Sequence, residues 1–186
     1  MVFIGVIFKQ TALAGAYVIE IEARLDERGA FARTFCEHEF AAHGLPTRFP
    51  QSNLSRNLRA GTLRGMHYRA EPHTESKLVR PATGGIYDVI VDLREESGTR
   101  YQSFGIELLA SEGSALFVPA GFAHGFITLQ DDTDVLYQMG DFFKADAALG
   151  FRWNDPFFAI AWPREPTVIA ERDAHYPDFV PSSANG

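Results

Sequence analysis

Apolar and polar residues along this chain alternate with the period of a strand far more often than with that of a helix. Ala16 to Ala23, AYVIEIEA, alternates as a strand with one buried face does. GGIYDVIVDLR, residues 84–94, predicts a strand after a glycine turn, with Ile86, Val89 and Val91 among polar partners. SFGIELL and SALFVPAGF predict two more strands, separated by ASEG. GFITL and TDVLYQM flank QDDTD, which has the composition of a hairpin turn. The opening MVFIGVIFKQ predicts another strand, DERG at 26–29 a turn, and Phe31 to Phe35 a further strand. Helical signals are few: Glu37 to His43, stopped by Gly44, and a short stretch around Ile169 to Asp173.

Many short strands with turns every eight to twelve residues predict an all-β barrel or sandwich with a few short peripheral helices. No long amphipathic helix interrupts them, which argues against a βαβ design. No repeat, low-complexity tract or long linker divides the chain, so residues 1–186 are expected to form one domain.

Charge and composition narrow the function classes. The formal net charge of -7 disfavours broad contact with nucleic acid, but leaves room for an anionic small ligand in a locally basic cleft. Sixteen phenylalanines and six tyrosines fit either strands or an aromatic pocket. The single cysteine, Cys36, excludes an intrachain disulfide and fits a reducing, cytoplasmic setting. Glu37 and Glu39 beside it argue against a reactive thiolate. The apolar start is too short to span a bilayer and lacks a basic leader, so neither a signal peptide nor a membrane span is expected.

One segment departs from the acidic balance. LRGMHYRAEPHTESKLVR, residues 63–80, holds four arginines and lysines, two histidines and a tyrosine. A pocket for an anionic ligand with a base inside it needs such a mixture; a solvated loop carries it only by chance. Further along, GSALFVPAGFAHGF, residues 113–126, resembles the later motif of the cupin superfamily through Gly113, Pro119, Gly121 and His124. A metal-binding cupin also carries two histidines one residue apart, and here His67 and His73 are six apart. Ligands on one strand face need alternate positions. His124 is therefore read as a hydrogen-bonded histidine of the barrel wall, with a lone-ligand role as the alternative.

The rest of the chain resembles the dTDP-4-dehydrorhamnose 3,5-epimerase family, which are jelly-roll cupins without a catalytic metal. DERGAFARTF, QSNLSRN, GTLRGMHYRAEPHTESKLVR, GGIYDVIVDLR, VPAGFAHGF, VLYQM, RWNDP, AWP and ERD follow in the family's order from residue 26 to 173. The resemblance implies no cofactor and a nucleotide-diphosphate sugar as substrate. It also implies a homodimer formed by sheet exchange, with the N-terminal strands at the interface. The family's reaction inverts carbons beside a ketone on a 4-keto-6-deoxy sugar, which takes a base, an enolate stabiliser and an acid. By resemblance His67 is the base, with Asp173 fixing its tautomer; histidine as a residue type titrates near neutrality and suits that work. Tyr137 is the acid, since a phenol holds its proton at pH 7. Lys77 stabilises the enolate as a cation beside the developing charge. Arg64 and Arg28 hold the diphosphate through paired donors, Arg28 completing a neighbour's site from the DERG segment. Gln51, Asn53, Phe31 and His124 complete the expected substrate shell; Asn53 as a turn cap is the bland alternative.

Departures from the family pattern fall in that shell. Arg33 stands where glutamate is usual, exchanging acceptors for donors. Arg69 follows His-Tyr, where glutamine is common, as a further phosphate contact or a solvated side chain. Phe142 and Phe143 replace a tyrosine pair; Phe143 keeps a stacking surface and loses a hydroxyl. Inversion at C3 alone, or the same chemistry on another nucleotide sugar, is the main rival reading. A non-catalytic sugar-nucleotide-binding cupin is the second, and a metal-dependent cupin enzyme the third.

Overall fold

The computed structural model describes residues 4–181, so Met1 to Phe3 of the predicted first strand lie outside the described residues. Fourteen strands, two short helices and one 3-10 turn make up the described chain. One sheet orders β1 (Val6–Gln10), β2 (Tyr17–Ile21), β10 (Ala115–Val118), β7 (Lys77–Pro81), β12 (Thr133–Met139) and β5 (Gln51–Asn57). The other orders β13 (Ala148–Gly150), β6 (Thr62–Arg69), β11 (Phe122–Thr128), β8 (Gly85–Asp92) and β9 (Ser103–Leu109). β14 (Val168–Ile169) lies parallel to β6; the pairings within both sheets are otherwise antiparallel. A separate hairpin joins β3 (Arg24–Asp26) and β4 (Gly29–Phe31). The two facing sheets form the expected all-β jelly roll.

Three apolar layers account for the burial pattern. Between the sheets, Val18, Val79, Leu116, Val118 and Val135 meet Ile86, Ile90, Leu108, Phe122 and Phe126. The outer face of the first sheet is covered by Phe40 of α1 (Glu37–Ala42), with Phe8, Phe35 and Phe49 packed around it. The outer face of the second sheet is covered by Phe151, Phe158, Trp162 and Phe179, which close over Met66, Val89, Val91 and Ala123. Strands covered on both faces need not alternate. That is why all seven residues of β11 and all four of β10 are buried.

Three sequence expectations are corrected. QDDTD does not make a hairpin: β11 and β12 belong to different sheets, and the connection crosses between them with Asp132 at φ 50°. Strand structure after the DERG turn stops at Phe31, because Phe35 leaves to pack on Phe40 and the Thr34 carbonyl accepts from Arg80 Nη2 instead of a strand neighbour. The late helix is α2 (Glu171–Ala174), and Ile169 is a strand residue beside Leu63. The basic segment at 63–80 lies largely on β6 and β7, one strand in each sheet, with a connection between them.

Two local constraints hold the frame. Asp92 accepts from Arg94 Nε at 2.9 Å and Thr99 Oγ1 at 2.7 Å, and from Ser97, while Arg94 Nη2 reaches the Ala14 carbonyl at 2.7 Å. Burial alone would raise the Asp92 carboxyl, but these donors outweigh it and hold it at about 2. A depressed folded value stabilises above the unfolded value and loses that contribution as pH falls through the folded one. At Gly65, φ is 131° and an added Cβ would lie 2.6 Å from Gly125 Cα, so β6 and β11 touch there backbone to backbone.

Asp92→Asn is expected to lower stability at pH 7 by about 1–2 kcal/mol, after allowance for solvent around the Arg94 end. The gap to wild type closes between about pH 4 and pH 2, as urea unfolding across pH would show. Gly65→Ala is expected to cost about 3 kcal/mol, combining left-handed strain with the backbone clash, read as a lower urea midpoint at unchanged slope.

Candidate active site

β6 and β11 pair antiparallel with His67 opposite His124, but the register shifts between His124 and Phe126, which lies opposite Arg64. Residues 64 and 67 are three apart and would face opposite sides of a regular strand. Across this irregularity both line one cavity. From the other sheet, β12 sets Tyr137 beside Asn53 of β5 and Val79 of β7, and sets Met139 beside Lys77. The cavity between the sheets has a volume of about 430 Å³ and is lined by residues that include His67, Tyr137, Lys77, Arg64, His124 and Asp173.

Asp173 reaches this place through the end of the chain. β14 lies against the start of β6, with Val168 beside Thr62, and Thr167 Oγ1 donates to the Ala60 carbonyl at 2.7 Å. α2 then sets Asp173 beneath β6. One carboxylate oxygen accepts from the Gly65 backbone N–H at 3.1 Å and the other pairs with His67 Nε2 at 2.9 Å. Burial works to raise the Asp173 carboxyl, yet His67, Gly65 and Arg172 together hold it below the usual range. An ionised carboxylate only accepts, so Nε2 carries the imidazole proton and Nδ1 is left to take one.

Tyr137 is packed against the inter-sheet core, its ring 6.2 Å from those of His124 and Phe126. Burial first, and the Asp88 charge second, push its phenol well above the usual range, so it is a proton donor at neutral pH. His124 Nε2 pairs with Asp88 Oδ1 at 2.6 Å, both side chains almost fully buried. The second Asp88 oxygen is buried with no hydrogen-bond partner among the described residues. Arg64 Nε donates to Asn57 Oδ1 at 2.8 Å. Among the described residues no group of three His, Cys, Asp or Glu side chains is arranged to hold a metal ion.

The structure thus brings together His67, Asp173, Tyr137, Lys77, Arg64, Asn53 and His124. Six predicted residues lie elsewhere. Arg28 and Phe31 are on the exposed β3–β4 hairpin, Arg28 paired with Asp26, and Arg33 faces Glu39 at 3.9 Å. Gln51 accepts from the Phe143 backbone N–H, and Phe143 is 63 % exposed. Arg69 is neither solvated nor at the cavity: it is buried, with Nη2 2.6 Å from Glu75 and Nη1 donating to the Phe142 carbonyl. Sequence reading missed Ser55, Phe126, Met139 and Arg172 in the lining, and Asp88 behind His124. Asp88 had a legible signal, as an acid in the middle of an otherwise apolar strand; Arg172 stood beside Asp173 in ERD.

Comparison with known proteins shows the family. The family model for dTDP-4-dehydrorhamnose 3,5-epimerase matches residues 10–180. A dTDP-4-dehydrorhamnose 3,5-epimerase of Methanothermobacter thermautotrophicus is 41% identical over 172 residues, 91% of this chain and 92% of the relative. The crystal structure of the Bacillus anthracis enzyme of that name, with TDP and PPi bound, has a TM-score of 0.90 at 36% identity, covering 94% of this chain and 100% of the other. A Legionella pneumophila dTDP-6-deoxy-D-glucose-3,5-epimerase in complex with dTDP-4-keto-L-rhamnose has a TM-score of 0.87 at 32% identity, covering 94% and 93%. With a match along nearly the whole chain, this chain belongs to the dTDP-4-dehydrorhamnose 3,5-epimerase family.

Proposed function

We propose that the protein inverts C3 and C5 of dTDP-4-keto-6-deoxyglucose by proton transfer through an enolate. The observation that carries this reading is a carboxylate-held imidazole on one sheet facing a buried phenol and a lysine on the other, across one cavity. His67 Nδ1 removes the proton beside the C4 ketone. The enolate oxygen is stabilised by the Lys77 ammonium, a fixed charge in a site largely shielded from water. Tyr137, protonated at neutral pH, returns a proton to the opposite face. Asp173 stabilises the imidazolium that forms between these events. Arg64 and Arg172 supply guanidinium donors on the cavity wall, suited to a diphosphate.

The exposed hairpin supports a shared site. Leu25 is 80% and Phe31 69% exposed there, and Arg28 and Arg33 lie apart from the cavity of their own chain. In a homodimer formed by sheet exchange these residues complete the partner's nucleotide site. A cytoplasmic setting follows from this reading and suits the unpaired Cys36. No helix among the described residues is long and apolar enough to cross a membrane.

Inversion at C3 alone is the second reading, favoured by Phe142 and Phe143 where the family resemblance leads one to expect tyrosines. The test is proton NMR of the substrate in deuterium oxide. Label at both carbons is expected, with His67→Asn slowing exchange by about 10²–10⁴-fold. Label at C3 alone would establish the second reading, and no label at either carbon would sink both. Tyr137→Phe is expected to keep exchange on the face served by His67 and to lose the inverted product.

A further inference from the structure

Lys77 does not stand alone at the cavity wall. Two residues before it, Glu75 brings Oε1 to 3.8 Å from Lys77 Nζ, and its Oε2 lies 2.6 Å from Arg69 Nη2. All three side chains are withdrawn from water, with exposures of 6% for Glu75, 4% for Arg69 and 13% for Lys77. Arg69 also lies 5.6 Å from the centre of the Phe143 ring and donates to the Phe142 carbonyl at 2.9 Å. One carboxylate therefore serves two cations in a dry place, one belonging to the cavity and one held by the loop that carries Phe142 and Phe143. An ion pair buried so deeply adds little to stability over apolar packing, so its place beside Lys77 is the feature that matters here.

We propose that Glu75 is a positioning residue for Lys77: its carboxylate fixes the ammonium at the cavity wall and keeps it charged, while Arg69 balances Glu75 and sets how strongly it does so. This rests on the reading of Lys77 as the enolate stabiliser. A cation stabilises an enolate only while it is a cation and only where the oxygen will be. Burial pulls Lys77 below the usual ammonium range; Glu75 pulls it back up and Arg69 pushes it down. Asp88 on β8, itself paired with His124 of β11, also raises it, and Arg64 and His67 of β6 and Arg172 and Asp173 of α2 line the same cavity. β12 presents the Tyr137 phenol and the uncharged Met139 to the same cavity, and β10 pairs Val118 with Lys77. Burial likewise raises the Glu75 carboxyl, with Lys77 and Arg69 working against it.

The chain contains only three lysines, Lys9, Lys77 and Lys144, so the Lys77 side chain can be followed by NMR of lysine-labelled protein. Its titration midpoint is expected to fall by at least about one unit in Glu75→Gln. It is expected to rise in Arg69→Gln and to lie between the two in the double variant, which buries neither charge. Midpoints that do not move, or that move the same way in both single variants, would overturn the proposal. If Glu75→Gln does not fold, Arg69→Gln and the double variant still decide it, since the former must titrate higher. These midpoints need no substrate, so they are read whether or not the ketose is turned over. With turnover, Glu75→Gln is expected to lower kcat about tenfold or more, with KM changed less than about threefold. Its alkaline limb should move to lower pH, and the double variant should recover part of kcat; a kcat and pH profile matching wild type would also overturn the proposal.

Discussion

The carboxylate of Asp173 holds two things that the rest of the site depends on. One oxygen takes the Gly65 N–H, at the irregular point where β6 meets β11, and the other takes His67 Nε2. The first bond gives a partner to a buried backbone donor that the irregular ladder does not satisfy; the second orients the imidazole. Both use a residue 106 positions from His67 in the chain, so the end of the polypeptide must return across the sheet before the site exists. β14 makes that return short and definite by pairing with the first residues of β6. Folding and site assembly are thereby the same event at this place.

Around that anchor the sandwich tolerates an unusual density of polar groups. Asp88, His124, Glu75, Arg69 and Asp173 are all nearly closed to solvent. Each lies beside an opposite charge, which lowers the cost of burial, although the second Asp88 oxygen keeps no hydrogen-bond partner among the described residues. The apolar layers on the two outer faces make this possible. Phe40 and its aromatic neighbours cover one sheet, and the Phe151–Phe158–Phe179 cluster covers the other. Water is thus kept from both backs, while the cavity opens between the sheets. Charge in such a cavity acts over short distances with little screening, which is what enolate chemistry asks of its surroundings.

The recognition shell shows a different logic from the centre. Arg69 and Gln51, both expected at the ligand, are instead engaged with the loop carrying Phe142 and Phe143. Arg28, Phe31 and Arg33 stand outside their own cavity on or beside an exposed hairpin. His67, Tyr137, Lys77 and Asp173 meet within one chain, whereas Arg28, Phe31 and Arg33 lie on surfaces away from that cavity. On the proposed reading, changes of substrate preference can accumulate at these outlying residues without disturbing His67, Tyr137, Lys77 or Asp173.

The amino-acid sequence by itself determined the strand-rich class, since alternation in AYVIEIEA and GGIYDVIVDLR is local and needs no partner to be read. It also set His67, Tyr137, Lys77 and Asp173 in segments whose order resembles that of the family, and the fold brings all four to one cavity. Sheet membership was beyond it: QDDTD has the composition of a hairpin turn, yet partner choice between two sheets is a long-range decision, and β11 and β12 part there. So was the facing of Arg64 and His67, which the period of a regular strand would separate and the register shift against β11 reconciles. The fate of Arg69 was decided by Glu75 and the Phe142 carbonyl, partners that only the packed fold brings near. Periodicity and residue chemistry act through neighbours in the chain, whereas burial, pairing and cavity walls arise between segments that meet only when the sandwich has closed.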